Sequence, residues 1–358
     1  MKTHIIGDGC AAMMLASMAD ELPDHELTVV HPNGAPMGRD HMLGFWNTAG
    51  LDFAVECSRT SWSKWAIITD TGKSVMQSDK NAYHIMHKSR FLEYCRNKAE
   101  RLGVQFIDQK DSNNPVLTFD TRPPRANKGA MLQHFLGQEV EVDKPVFDSS
   151  TAVLMDFRVD QSQGMHFVYL LPYSPTQALV ESTLFSPKVL EREFYVGAIE
   201  NYLLDHYGAK INNIIHEEQG VIPMGTLSPH NPKIPGLGAN AGAIRPASGY
   251  TFVFIHKQIQ RAIQSTQQGK SLRFKRPHKA VDVWMDAVLL TVLRNWPHQG
   301  PKLFARMAAS LTADEFVRFM SGKANWRLRL KVIMAMPKLP FIKGVSKHIF
   351  QRQRKVVA

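Results

Sequence analysis

Cysteine is scarce in this chain of 358 residues: Cys10, Cys57 and Cys95 are the only three, and none stands at metal-ligand spacing from another. Neither a disulfide framework nor a zinc site is expected, and the usage suits a reducing compartment. Long apolar runs are missing as well. No stretch approaches the ~20 apolar residues of a membrane span, and the apolar N-terminal run is broken by Gly7, Asp8 and Gly9, so no signal peptide is expected. Acidic residues give out at one end: from Lys323 to Ala358 there are ten Lys or Arg and no Asp or Glu.

What is present is a sizeable apolar fraction, 44%, and a formal net charge of +11. The length suits two or three lobes. In the basic C-terminal stretch the cations alternate with Trp326, Leu330, Met334, Leu339 and Ile342, the mixture of a surface that settles on an anionic bilayer; a solvated basic helix pair closing the fold is the alternative. No recognised nucleic-acid module accompanies the charge. The expected location is cytoplasmic, peripheral on the inner face of a membrane.

The N-terminus carries a motif. A short apolar run leads into Gly7-Asp8-Gly9-Cys10-Ala11-Ala12 and then a helix-forming stretch, and a second strand is expected at Glu26 to Val30. This is the strand, glycine turn and helix of a dinucleotide fold in its G-x-G-x-x-A form, with Gly7 for the turn, Gly9 for backbone approach to a pyrophosphate and Ala12 for close helix packing. His31 ends the second strand, where an acid usually meets the ribose; an imidazole makes one such hydrogen bond. Gly38 to Trp46 follows a Pro- and Gly-rich loop as a cofactor-touching loop with His41 in it, and Gly236 to Tyr250, which includes Gly242, Pro246 and Gly249, is a second cluster of small residues suited to the ribityl and pyrophosphate of a flavin. Lys73 to Ile85 reads as a hairpin, Ser89 to Gly103 as an amphipathic helix, Val104 to Ile107 and Val116 to Asp120 as strands, and the chain is helical from Val281 onward.

The chemistry is expected between Met155 and Pro187. His166 to Leu171 and Ala178 to Phe185 are β-rich apolar runs, and Tyr173 to Thr176 between them carries turn residues, so the pair reads as a hairpin. On that reading Glu181 lies opposite Val168 and shares its face with Leu179 and Thr183. A carboxyl in apolar company holds its proton more tightly, because desolvation penalises the anion. Downstream, Ile214 to Met224 places Glu217 and Glu218 ahead of an apolar return strand.

Taken together, the glycine turn, Gly38 to Trp46, FDTRPP (Phe119 to Pro124), FLGQEVEVDKP (Phe135 to Pro145), Leu154 to Phe185, EEQGVIPM (Glu217 to Met224), AGAIRPASGYTF (Ala241 to Phe252) and the C-terminal helices resemble the bacterial-type, FAD-dependent lycopene cyclases over nearly the whole chain. The resemblance implies an α/β (α+β) fold: a Rossmann-like FAD-binding domain in segments 1–70, 96–130 and 216–270, an inserted segment 71–95, a β-sheet substrate domain 131–215, and a helical basic region 271–358. It implies reduced FAD, with NAD(P)H as a candidate electron donor, and a linear carotenoid whose terminal double bond is protonated so that the end ring closes with no net redox change. Glu181 matches the family's acid; Asp156 or Glu217 is the expected polar support or base, and Phe167, Tyr169 and Phe185 are the expected aromatic lining. Ser182 and Leu184 stand where family members generally carry a second acid and often a histidine. A redox flavoenzyme acting on a polyene, and a non-catalytic flavoprotein that carries one at a membrane surface, are the competing readings.

Overall fold

The structure, a computed structural model, describes residues 1–34, 40–108 and 117–357, with side chains described as far as His348. Gly38, which opens the expected cofactor loop, and Val116, which opens an expected strand, lie outside the described residues. In chain order the elements begin with β1 (Lys2–Ile6), α1 (Cys10–Ala16), β2 (Glu26–His31), β3 (Met42–Trp46), α2 (Asp52–Val55), β4 (Thr60–Trp62), β5 (Lys64–Thr69), β6 (Gly72–Gln77), β7 (Tyr83–His87), α3 (Lys88–Arg101), β8 (Gln105–Asp108) and β9 (Leu117–Asp120). There follow β10 (Leu132–Val142), β11 (Thr151–Asp156), β12 (Met165–Pro172), β13 (Gln177–Ser186), α4 (Arg192–Tyr207), β14 (Ile211–Pro223) and α5 (Phe252–Gln267). The last helices are α6 (Ala280–Asn295), α7 (Gly300–Ser310), α8 (Ala313–Met320), α9 (Trp326–Ala335) and α10 (Lys338–Val357).

Three sheets organise these elements. The order β8-β2-β1-β9 is parallel throughout, with the helix α1 connecting its two central strands. That is the topology the glycine turn predicts, because parallel neighbours need a crossover helix. The backbone of residues 235–237 extends the sheet beside Asp120, whose carbonyl accepts from the Leu237 N–H and the Asn240 amide. The late small-residue cluster is thereby fastened against the N-terminal motif. Gly238 has φ +69°, and a Cβ there would lie 2.4 Å from the Ala11 Cβ on α1. Gly238→Ala is therefore expected to cost about 1–3 kcal/mol in backbone strain and overlap, read as a lowered Tm in thermal unfolding.

The second sheet has seven strands in the order β14-β10-β13-β12-β11-β5-β6. One face packs on α4 through Leu136, Val140, Val168 and Val180 against Tyr195, Ile199 and Leu203. The other turns Trp65, Leu154, Phe167, Leu179 and Phe185 toward α6 to α9. Over the central strands both faces are covered, so a polar side chain there needs a partner or a cavity. β5, whose residues fall near the end of the expected first segment 1–70, joins this sheet by pairing in parallel with β11. The third sheet, β3-β7-β4, bridges the other two.

Two expectations are corrected here. Lys73 to Ile85 is no hairpin: β6 pairs with β5, whereas β7 pairs with β3 and β4 in a different sheet. The polar Ser78 to Ala82 segment resembles a turn but carries the chain from one sheet to the other. The β12/β13 hairpin does form, yet Glu181 stands opposite Tyr169, and Val168 pairs with Ser182. The Tyr173 N–H donates to the Gln177 carbonyl at 2.8 Å, closing the loop symmetrically about Pro175 and moving the pairing by one residue. Among the described residues no helix is long and apolar enough to cross a membrane.

Candidate functional site

Strand parity decides what each side chain of the seven-stranded sheet can reach. Along β13, Leu179, Glu181, Thr183 and Phe185 share one face, and Ala178, Val180, Ser182 and Leu184 share the other. Gly137 of β10 pairs with Glu181 on one side and with Glu218 of β14 on the other. All three positions therefore project to the same face, and the middle one has no side chain. A Cβ built on Gly137 would lie 3.3 Å from the Glu181 Cβ and 3.2 Å from the Glu218 Cγ. The glycine leaves a slot between two carboxyl-bearing stems.

The slot opens into a cavity of about 660 Å³. Its wall reaches from Pro123, just past the carboxyl end of β9, along Ser248 to Phe252 to the two acids, with Tyr83, Phe135 and Tyr169 among the aromatic lining. A site outside the carboxyl ends of parallel strands is where open α/β sheets take their ligands.

The electrostatics follow from this burial. Desolvation pushes the Glu181 carboxyl up to about 7, against the opposing pull of the Thr183 hydroxyl, which donates to Glu181 Oε1 at 2.6 Å. Glu218 is pushed up to about 8, first by burial and then by the charge of Glu181, while the Met42 N–H donating to Oε2 at 2.7 Å pulls the other way. The two belong to one coupled pair, so both numbers describe the pair. It retains protons at a pH where exposed carboxyls have lost theirs. Burial likewise raises Tyr83, Tyr169 and Tyr250, which stay neutral phenols.

The structure separates the expected site residues into two groups. Glu181 and Tyr169 line the cavity, and so do His41 and Gly249. Phe167 and Phe185 lie on the same sheet face but pack into the core behind Tyr169, Phe167 with its ring 5.4 Å from that of Tyr169 and 5.7 Å from that of Phe185. Asp156 and Glu217 are corrections. Asp156 pairs with Val168 on the α4 face, where the Arg158 guanidinium and the Tyr202 hydroxyl donate to it. Glu217 also faces α4: it accepts from Gln138 and Arg192, whose guanidinium holds its carboxyl below the ordinary range. Neither reaches the cavity, because each has the wrong strand parity. Ser182 also lies on the far face, where His166 Nε2 sits 2.8 Å from its hydroxyl.

Glu218 is the residue that sequence reasoning passed over. It adjoins Glu217, and only the pairing of β14 with β10 says which of two neighbouring acids points inward. The signal available was Gly137, the lone glycine in an otherwise side-chain-rich strand.

The cofactor residues meet a test of fit. Gly7 turns with φ +103° at the end of β1, and Thr121 packs where its Cβ would be. Gly9 caps α1 and has nothing within 4 Å of a built Cβ, which leaves open room at the helix start. Ala12 is fully buried behind it. At the cavity end a Cβ on Gly249 would meet Gln133 Oε1 at 2.9 Å, and that oxygen is buried with no hydrogen-bond partner among the described residues. An open glycine turn at one end and an unused acceptor at the other suit a flavin dinucleotide. Pro246 shapes the loop, its carbonyl accepting from the Gly225 N–H, and Gly242 (φ +77°) packs beside Arg276. His31 holds Asp8 at 2.9 Å past the carboxyl ends of the two central strands of the parallel sheet.

The sequence profile of the family described as Lycopene cyclase protein matches residues 3–345. The chain is 27% identical over 228 residues to a lycopene beta-cyclase of Pantoea ananas, covering 60% of this chain and 59% of that protein. It is 30% identical over 230 residues to a lycopene beta-cyclase of Paracoccus sp. (strain N81106 / MBIC 01143), covering 58% and 57%. The matched part is thus under two thirds of either relative. In fold it is similar to a geranylgeranyl bacteriochlorophyll reductase-like protein of Thermoplasma acidophilum, with TM-score 0.59 and 11% identity over 97% of this chain and 98% of that one. A flavin-dependent brominase gives TM-score 0.57 and 14% identity over 99% and 100%.

Proposed function

The chain belongs to the lycopene cyclase family, and on that footing we propose that it closes the end ring of a linear, lycopene-like carotenoid by proton transfer, with no net change of oxidation state. The observation that carries this reading is Glu181: a carboxyl with raised proton affinity at the wall of an aromatic-lined cavity. The Glu181 proton adds to the terminal double bond of the polyene, the neighbouring double bond attacks the resulting cation to form the ring bond, and a proton leaves the ring. The product is an isomer of the substrate.

A carboxylic acid is a weak donor to an alkene, so the site must favour the cation as it forms. Neutral phenol rings at Tyr83, Tyr169 and Tyr250 present π faces to it, and a wall of Leu171, Leu179 and Ile85 keeps water from capturing it. Gly9, Gly249 and the Gln133 amide would hold reduced FAD, which would supply negative charge to favour the cation. NAD(P)H is its proposed electron donor.

A polyene of this kind dissolves in lipid, and α9 and α10 supply the proposed contact with an anionic membrane surface. Trp326 is 69% exposed and Leu339 72%, among Arg327, Lys331, Lys338 and Lys343. An apolar groove of about 410 Å³ lies between α6 and these helices, lined by Met285, Leu289, Ile333, Phe341 and Ile342.

One experiment tests the reading. The purified protein is incubated anaerobically with FAD, dithionite or NADPH, and lycopene in either anionic or zwitterionic vesicles. The expected result is a ring-bearing pigment of unchanged mass, formed faster from anionic vesicles and absent with oxidised flavin. A product of altered mass would instead make the protein a redox flavoenzyme, and recovery of unchanged lycopene would make it a carrier.

A further inference from the structure

Ring closure gives up a proton as well as taking one, and the carbon that loses a proton is not the carbon that received one, so a second carboxyl placed nearby can take the departing proton. Resting on the cyclase reading above, we propose that Glu218 is a second catalytic residue: it accepts the proton that leaves the closed ring, and it shares a single exchangeable proton with Glu181 across the Gly137 slot.

Three observations carry this. First, both acids project to one face on either side of a residue that lacks a side chain, so no side chain of the intervening position separates them, and the slot is bounded by Leu179, whose Cδ1 lies 3.3 Å from where a Gly137 Cβ would be. For a β-ring, the carbon that receives the proton and the carbon that loses one are both bonded to the carbon that first carries the charge, so two carboxyls flanking one slot address them together. Second, their hydrogen bonds assign the direction. The Met42 N–H can only donate, so it keeps Glu218 Oε2 as an acceptor and works against the burial that raises Glu218, which leaves that oxygen open to a carboxylate during turnover. The Thr183 hydroxyl beside Glu181 can donate to a carboxylate or accept from a carboxylic acid, so Glu181 changes protonation without losing its partner. Third, the surroundings resist a second negative charge. Asp40 and Glu139 both act on Glu218. Glu139 is matched by Arg59 at 2.7 Å through both oxygens, and Asp40 by Ser89 and by His87 at 3.6 Å. The phenols of Tyr83, Tyr169 and Tyr250, together with His41 and Lys88, complete the titratable lining, and His216 stands two residues before Glu218 on the same strand face.

The step balances. Before reaction the pair is Glu181 acid and Glu218 carboxylate; the carbon–proton bond at the chain end forms as the Glu181 O–H breaks, the ring C–C bond forms, and the departing ring proton goes to Glu218. The pair ends as Glu181 carboxylate and Glu218 acid with its total charge unchanged. Return of the proton from Glu218 to Glu181 resets it, and no oxidant or reductant is consumed.

The test uses the full-length protein and its Glu218→Gln, Glu218→Asp and Glu181→Gln variants. Infrared difference spectra with isotope-labelled glutamate follow the carboxylic acid band from pH 5 to 10. The wild type is expected to release its protons in two steps, and Glu218→Gln to collapse them to one and shift the Glu181 midpoint downward. In turnover, lycopene deuterated at the carbon that loses its hydrogen is expected to react at nearly the wild-type rate of unlabelled substrate. Glu218→Gln should fall about 100-fold and acquire an isotope effect of several-fold, with Glu218→Asp recovering part of the rate and substrate binding unchanged. A Glu218→Gln variant with wild-type rate and no isotope effect, or a Glu181 midpoint that Glu218→Gln leaves in place, would overturn the proposal. If the wild type closes no ring while the two-step titration persists, the cyclase reading and the role of Glu218 as base both fall, and only the shared proton stands.

Discussion

Glu181→Gln is expected to lower ring formation by about 10²–10⁴-fold, the range a positioned general acid contributes, with FAD and lycopene still bound. The amide is nearly isosteric and keeps a partner for the Thr183 hydroxyl at Glu181 Oε1. Pigment analysis after single turnover checks it, and a variant retaining a tenth or more of the rate would remove Glu181 from the chemistry. The same substitution has a signature in stability. Folding raises the Glu181 carboxyl from its ordinary 4.5 to about 7, so the folded state binds the proton more tightly than the unfolded chain. Its stabilising contribution is complete below about pH 4.5 and is lost as the pH climbs through about 7. The glutamine variant has no such loss, so its Tm relative to the parent should be higher at pH 9 than at pH 4.

The second large effect lies away from the cavity. α6 turns Asp282 and Asp286 inward on consecutive turns, and each is buried against an arginine. Arg329 of α9, 2% exposed, donates to Asp282 at 2.7 and 3.0 Å. Arg245, from the small-residue loop, pairs with Asp286 at 3.2 Å and also donates to the Phe319 carbonyl at 2.6 Å. The first pin joins α9 to α6, and the second joins α6 and α8 to the loop that carries Gly249. Arg329→Leu leaves the Asp282 charge buried and unpaired, which costs about 3–5 kcal/mol, a large share of the 5–15 kcal/mol that about covers a domain's stability. The double variant Asp282→Leu, Arg329→Leu should recover most of that loss in denaturant unfolding. Equal destabilisation of the single and double variants would show that packing at Arg329 matters more than its charge.

Local features of the fold are legible in the sequence, and long-range pairings are not. The glycine turn predicts β1, α1 and β2 because turn chemistry and periodicity act over a few residues. Glu181 stands out as a lone carboxylate in an apolar strand. Its partner residue on β12 was missed by one position, because hairpin register depends on which residue pair closes the loop, here Tyr173 and Gln177. Asp156 and Glu217 were plausible from their neighbours but turn to α4, and the inward acid is Glu218. Nothing within Ile214 to Met224 distinguishes Glu217 from Glu218; the distinction comes from β10, about eighty residues earlier. β5 and β6 were likewise unreadable as members of the seven-stranded sheet, since β5 pairs in parallel with a strand on the far side of β7, α3 and β8. The buried aspartates of α6 gave no sign either, because an Asp on an amphipathic helix reads as solvent-facing until its arginine is located.

One feature of the sheet bears on how the protein wears out. β14 is one of its two outer strands, 13 residues long, pairing among the described residues with β10 alone, with Ile214, Ile215 and Val221 about half exposed. Outer strands loosen before inner ones, and this one carries Glu218. Heat should therefore silence the protein at temperatures where most of its architecture is still intact, and the free margin of β14 is where spent molecules would first adhere to one another.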